Sequence, residues 1–307
     1  MKRSGIVKTL ARKFPSVFRG LVTLSVRGYL PRIHKNWLVR SLAFELFSET
    51  GFPMWGSPCR LHIPRELLTV YLDYVDFLDH EPLTRRVLMG LLKAGSVFID
   101  VGANIGYYTL LAASKVGPRG RVHAVECSLN NLTMLKENVR KNNLQIVEIH
   151  PYAAASTRGE LTLQVAVLGF SALGPTLRWP NLPDIGHVVR VPAVPLDEII
   201  VSPVDLVKIS AEGADLEVLT GMERILSEYQ RLSLIVEWAP LQLADAGKDP
   251  LELPRFLQEA GLGRIEVLDQ YCNRRRSLKE TIEMLRAGKL PNAWVCDLFV
   301  QRLPQPA

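Results

Sequence analysis

From Ser96 to Val236, short runs of β-branched and aromatic residues alternate with stretches whose apolar side chains recur every three or four positions. Segments 96–101, 121–125, 145–149, 204–209 and 233–236 read as strands. Segment 105–115, the stretch that Ser128 opens with Leu132, Leu135 and Val139, and 214–226 with Val218, Leu219, Met222 and Ile225 read as helices. Strand, helix and strand joined by short connections close as βαβ units, whose strands lie parallel with helices covering them. The fold class expected is α/β, a mostly parallel seven-stranded sheet with helices on both faces. Glu81-Pro82 opens a further helix carrying Val87, Leu88, Leu91 and Leu92, with Pro placed where its missing N–H costs nothing. A helix at 250–260 and strands at 264–268 and 293–300 complete the reading. Segment 159–194, punctuated by Gly and Pro, reads as a variable insertion of short strands, and 70–77 as a strand or hairpin.

The chain of 307 residues is 48% hydrophobic and 22% charged, which excludes disorder, collagen-like and coiled-coil classes. Its net charge of +6 is unevenly placed. Residues 1–44 hold ten Lys and Arg and no acid, so the rest carries 27 basic against 31 acidic residues, a net of −4. A mildly acidic body argues against a nucleic-acid groove. The leader (1–50) has a basic amphipathic pattern through Ile6, Leu10, Phe14, Val17, Phe18, Leu21 and Leu24, interrupted by Pro15 and Gly20. Peripheral contact with an anionic membrane through 1–44, a cleaved transit segment, a lid with solvated cations and simple disorder all stand as readings. No run of 18 apolar residues occurs, which excludes a spanning helix. Cys59, Cys127, Cys272 and Cys296 form no Cys-x-x-Cys pair, so the default compartment is reducing and the expected location cytoplasmic. His34, His62, His80, His123, His150 and His187 are dispersed, without metal-ligand spacing, and no metal is expected. The expected division is leader 1–50, cover segment 51–80 and main domain 81–303, with oligomeric state left open.

The chemistry-bearing segment is Val97-Phe98-Ile99-Asp100-Val101-Gly102-Ala103-Asn104-Ile105-Gly106. An acid ends an apolar strand and glycines mark the turn into a helix, at the strand end where open α/β sheets bind ligands. Glycine tolerates positive φ and leaves room for a ligand against the backbone. The dinucleotide fingerprint fails, because counting from Gly102 puts Asn104 and Tyr107 at its second and third glycines. An acid followed by Gly102, Asn104 and Gly106 at alternate positions fits S-adenosylmethionine better than a pyrophosphate. Glu126 ends the next strand, where a carboxylate can accept ribose hydroxyls. The alternative readings are a helix N-cap for Asp100 and a solvated turn acid for Glu126. A nucleophile elbow and a phosphate-binding Walker loop are both missing.

Together with Pro195-Leu196-Asp197-Glu198 and Val207-Lys208-Ile209-Ser210-Ala211-Glu212-Gly213-Ala214, these residues resemble the FkbM family of S-adenosylmethionine-dependent methyltransferases over about 81–237. The resemblance implies a Rossmann-like fold, S-adenosylmethionine as cofactor, and methyl transfer to a hydroxyl of a sugar, glycan or natural product. Asp100, Gly102, Asn104, Gly106 and Glu126 are the expected cofactor residues. Lys208, Ser210 and Glu212 are the expected catalytic set, with Lys208 as base or steering cation and Glu212 as acceptor ligand or partner of Lys208. A Lys208–Glu212 salt bridge capping the next helix is the structural alternative. The family usually carries Asp where this chain has Ser210, so altered activity or a non-catalytic binding module is the competing expectation. Glu237 either contacts the acceptor or lies in a surface turn.

Overall fold

In a computed structural model, residues 50–54, 56–64, 81–166, 171–173, 185–291 and 294–302 are described, together with Val17 and Phe47. The leader readings, the expected element at 70–77 and the chain end fall outside them. β1 (Phe52–Pro53) and β2 (Arg60–Leu61) form a small antiparallel pair. It is held to the main domain by Asn138, whose Oδ1 accepts the His62 N–H at 2.7 Å and whose Nδ2 donates to the Ile105 carbonyl at 2.8 Å.

α1 (Pro82–Leu91) leads into β3 (Val97–Val101), α2 (Tyr107–Val116), β4 (Arg121–Val125), α3 (Leu129–Lys141) and β5 (Val147–His150). After an insertion come α4 (Leu196–Ile199), β10 (Leu206–Ile209), α5 (Asp215–Thr220), α6 (Glu223–Glu228), β11 (Ser233–Trp238), α7 (Pro240–Asp245) and α8 (Glu252–Glu259). β12 (Arg264–Asp269), β13 (Arg274–Ser277), α9 (Leu278–Arg286) and β14 (Cys296–Gln301) end the fold. The main sheet runs β13-β12-β14-β11-β10-β3-β4-β5. β11, β10, β3, β4 and β5 are parallel, and β14, β12 and β13 attach antiparallel. The α/β class is as expected, with β13 added as an eighth strand at the edge. Three consecutive arginines hide β13 from any apolar pattern, yet charge suits an edge strand. Arg276 pairs with the buried Asp269 at 2.9 Å.

The period-2 alternation of the strands divides the core in two. Phe98, Leu206 and Ile235 face Leu88, Leu110 and Leu111 of α1 and α2. Ile99, Val207, Val236 and Trp238 face the opposite layer, where Trp238 meets Trp294 edge-on at 6.3 Å. The insertion is more regular than its Gly and Pro content implies. β7 (Gly159–Ala166) and β9 (Ile185–Val194) form a long antiparallel pair, with β6 (Ala153–Ala154) and β8 (Ser171–Leu173) completing a second sheet. The single helix expected at 214–226 is two, α5 and α6, and between them Gly221 lets the chain lie against Ala155, since a Cβ there would lie 1.9 Å from the Ala155 carbonyl oxygen. The break lets the base of the insertion pack against the main domain.

Candidate functional site

The turn after β3 is built by backbone conformation. Gly102, Asn104 and Gly106 all take positive φ (74°, 52° and 96°), as the glycine spacing predicts for two of them. The N–H groups of Gly102 and Ala103 both donate to the Val125 carbonyl at 3.0 Å, pinning the turn to the end of β4. The glycines do not clear space for a ligand, however. A Cβ on Gly102 would lie 2.0 Å from the Ser210 carbonyl oxygen, and one on Gly106 2.8 Å from Leu135 Cδ1. Protein atoms fill both positions, and the consequence at Gly102 is that the end of β10 lies directly against the turn.

A cleft opens there, lined by Gly102, Asn104, Glu126, Asn131, Ser210 and Glu212, with Val101, Val125, Ala154 and Leu163 as apolar walls. The ends of β3, β4 and β10 and the insertion sheet meet in it. Glu126 is 7% exposed, so it is no solvated turn acid. Its Oε2 accepts the Asn104 N–H at 2.8 Å and its Oε1 the Ser128 N–H at 2.7 Å. Burial raises its pKa, and these N–H donors oppose the rise. Ser128 does occupy the N-cap of α3, but its side chain makes no cap bond. Asn131, one turn into α3, was not among the expected site residues. It is 4% exposed and its Oδ1 has no partner although buried, an acceptor aimed at nothing in the protein. A buried Asn on a helix face otherwise packed by Leu132 and Leu135 was the available signal. The Cys127 thiol beside Glu126 is pushed up to about 12, by burial first and then by that carboxylate.

Asp100 and Lys208 do not line this cleft. Parallel pairing sets them side by side in register on β3 and β10, beneath the turn and facing α1 and α2. Asp100 accepts the Thr109 hydroxyl at 2.5 Å, and the N-cap of α2 is Gly106, so Asp100 is no helix N-cap. The Lys208 ammonium sits 4.7 Å from the Tyr108 ring centre, and Tyr108 donates to Glu81 at 2.6 Å. Burial alone would lower the Lys208 pKa. Glu81, Asp297, Asp100 and Glu237 outweigh it and raise the pKa above the lysine range. The charged form of Lys208 is therefore favoured, which suits the steering cation among the two roles expected of it.

Ser210 and Glu212 do enter the cleft. Glu212 takes φ 49°, a conformation rare outside glycine, stabilised as Asp215 accepts the Ala211 and Gly213 N–H groups at 2.9 and 3.2 Å. Ser210 Oγ donates to Glu237 Oε2 at 2.9 Å. Glu237 is buried near the end of β11, not in a surface turn, and its other oxygen, Oε1, has no partner. It lines a second cavity with Gly213, Asp215, Ala239 and Lys248. Burial, then Glu212 and Asp215, raise the Glu237 pKa well above the carboxylate range, with Lys208 opposing. Ser210 thus links the two cavities through Glu237. The dispersal of the histidines also needs correcting, since pairing of β4 with β5 brings His123 Nδ1 to 3.0 Å from His150 Nε2.

The Methyltransferase FkbM domain family matches residues 100–262, from the end of β3 to just beyond α8. Over 118 residues the chain is 30% identical to the demethylmenaquinone methyltransferase of Bacillus cytotoxicus, covering 38% of this chain and 47% of that enzyme. The chain therefore matches about half the length of that curated relative. Among solved structures it is similar to the methyltransferase FkbM of Methylobacillus flagellatus, at 17% identity and TM-score 0.46, over 95% of this chain and 60% of that one. It is similar also to an S-adenosylmethionine-dependent O-methyltransferase of Thermotoga maritima, at 14% identity and TM-score 0.43, over 80% and 74%. The family match takes in more than half of the chain and every cleft residue from Gly102 to Glu212, so the chain belongs to the FkbM methyltransferase domain family.

Proposed function

We propose that this protein is an S-adenosylmethionine-dependent methyltransferase that methylates a hydroxyl of a sugar, glycan or natural product. The observation that carries the reading is the meeting of Glu126 and Asn131 on one wall of the cleft. Backbone N–H groups and the Asn131 side chain fix the Glu126 carboxylate at the cleft wall. Its edge toward the cleft, with the unpartnered Asn131 Oδ1 beside it, suits the hydroxyls of a ribose. Val101, Val125, Ala154 and Leu163 offer apolar surface to an adenine ring. The donor supplies an electrophilic methyl group on a sulfonium. The chain's task is to align an acceptor oxygen with it and to take up the acceptor's proton. Glu237 Oε1 is the acceptor-side group, and Ser210 fixes its carboxyl by holding Oε2. Lys208 contributes a standing positive charge beneath them.

Calorimetric titration with S-adenosylhomocysteine tests the donor assignment. The wild-type chain is expected to bind one equivalent, and Glu126→Gln to weaken binding tenfold or more with its melting temperature kept. Absence of binding by the wild type overturns the reading.

A further inference from the structure

A second cluster, outside the cleft, lies on β4 and the edge strand β5. β4 and β5 pair with His123 opposite Glu148, and His150 follows Glu148 by two residues, so all three side chains leave one face of the sheet. His123 Nδ1 and His150 Nε2 are 3.0 Å apart; Glu148 Oε2 is 3.5 Å from the first and Glu148 Oε1 3.9 Å from the second. One ligand atom from each of the three residues lies within 4.8 Å of the other two, and a small rotation of the exposed Glu148 carboxylate closes them to one face of a tetrahedron. Zinc bonds of about 2.0–2.1 Å place neighbouring ligands roughly 3.3 Å apart. Both rings are buried, at 4% and 6% exposure, while the Glu148 side chain is 58% exposed.

We infer that His123, Glu148 and His150 form a binding site for a divalent transition ion of the zinc class, with its fourth position open to water on the Glu148 side. Imidazole and carboxylate suit zinc or cobalt, while a hard ion such as magnesium would demand more oxygen ligands than this edge offers. The His150 carbonyl accepts the Glu126 N–H at 3.1 Å. An ion here therefore braces the strand that supports the cleft wall, without entering the cleft.

The test uses the full chain, purified without a polyhistidine tag and stripped with chelator, then titrated with cobalt(II) and zinc(II). Expected are one equivalent of cobalt with the intense visible bands of a four-coordinate site, displacement by zinc, and a melting temperature raised by about 2–4 °C. Glu148→Gln, at an exposed position, and His150→Asn should each weaken zinc affinity tenfold or more. No cobalt bands in the wild type, or affinity unchanged in both variants, overturns the site.

Discussion

An aspartate at position 210 would set a second carboxyl against Glu237, in the place where Ser210 Oγ now donates at 2.9 Å. Two carboxyls at that distance cannot both ionise cheaply, so they would share a proton. Ser210→Asp is expected to destabilise the fold by about 1–3 kcal/mol at pH 8 and by less at pH 5, whereas Ser210→Ala removes one hydrogen bond worth roughly 1 kcal/mol at either pH. Urea unfolding at the two pH values reads both. Glu237 itself sets a sign. Its folded pKa is raised, so its contribution is whole below the ordinary glutamate pKa and drains away as pH climbs through the folded value. Glu237→Gln should flatten that decline and overtake the wild type in stability on the alkaline side; a parallel pair of curves would remove Glu237 from the account.

At the scale of elements, turns carry more of the site than strands do. The β3–α2 turn needs glycine at 102 both for its φ of 74° and because a Cβ would strike the Ser210 carbonyl. Gly102→Ala is expected to cost about 2 kcal/mol or more and to weaken S-adenosylhomocysteine binding by parting the turn from β10, as thermal melts and calorimetry would record. A variant of unchanged melting temperature would contradict the packing described. Elements also show what could be read beforehand. β4 lies at 121–125 as expected, and β3 begins one residue later than its pattern. α9 was missed although Ser277 and Glu280 spell a capping box, whose Ser277 hydroxyl accepts the Glu280 N–H at 3.1 Å. Its amphipathic face was the only other sign. Gly and Pro in the insertion read as punctuation, while the Leu163–Val165 and Val189–Val191 alternation inside it pairs two long strands. Side-chain reach was the least legible property. Strand ends gave the position of Asp100 and Lys208, but only the register shows that they face α1 and α2 instead of the cleft.

For the molecule as a whole, pairing across the sheet creates groupings no linear spacing announces. His123 and His150 lie 27 positions apart and yet within hydrogen-bonding reach. Among the described residues, no helix is long and apolar enough to cross a membrane. One further consequence follows from the layer of acids around Lys208. Asp100, Glu237 and Asp215 all hold their protons more tightly than free carboxyls do, with the Lys208 ammonium opposing the rise in each. A positively charged guest in the neighbouring cleft supplies the missing countercharge, so its arrival should expel hydrogen ions into solution. The heat of association would then vary with the ionisation enthalpy of the buffer, and a slope of zero between phosphate and Tris would mean the acids are indifferent to what docks beside them.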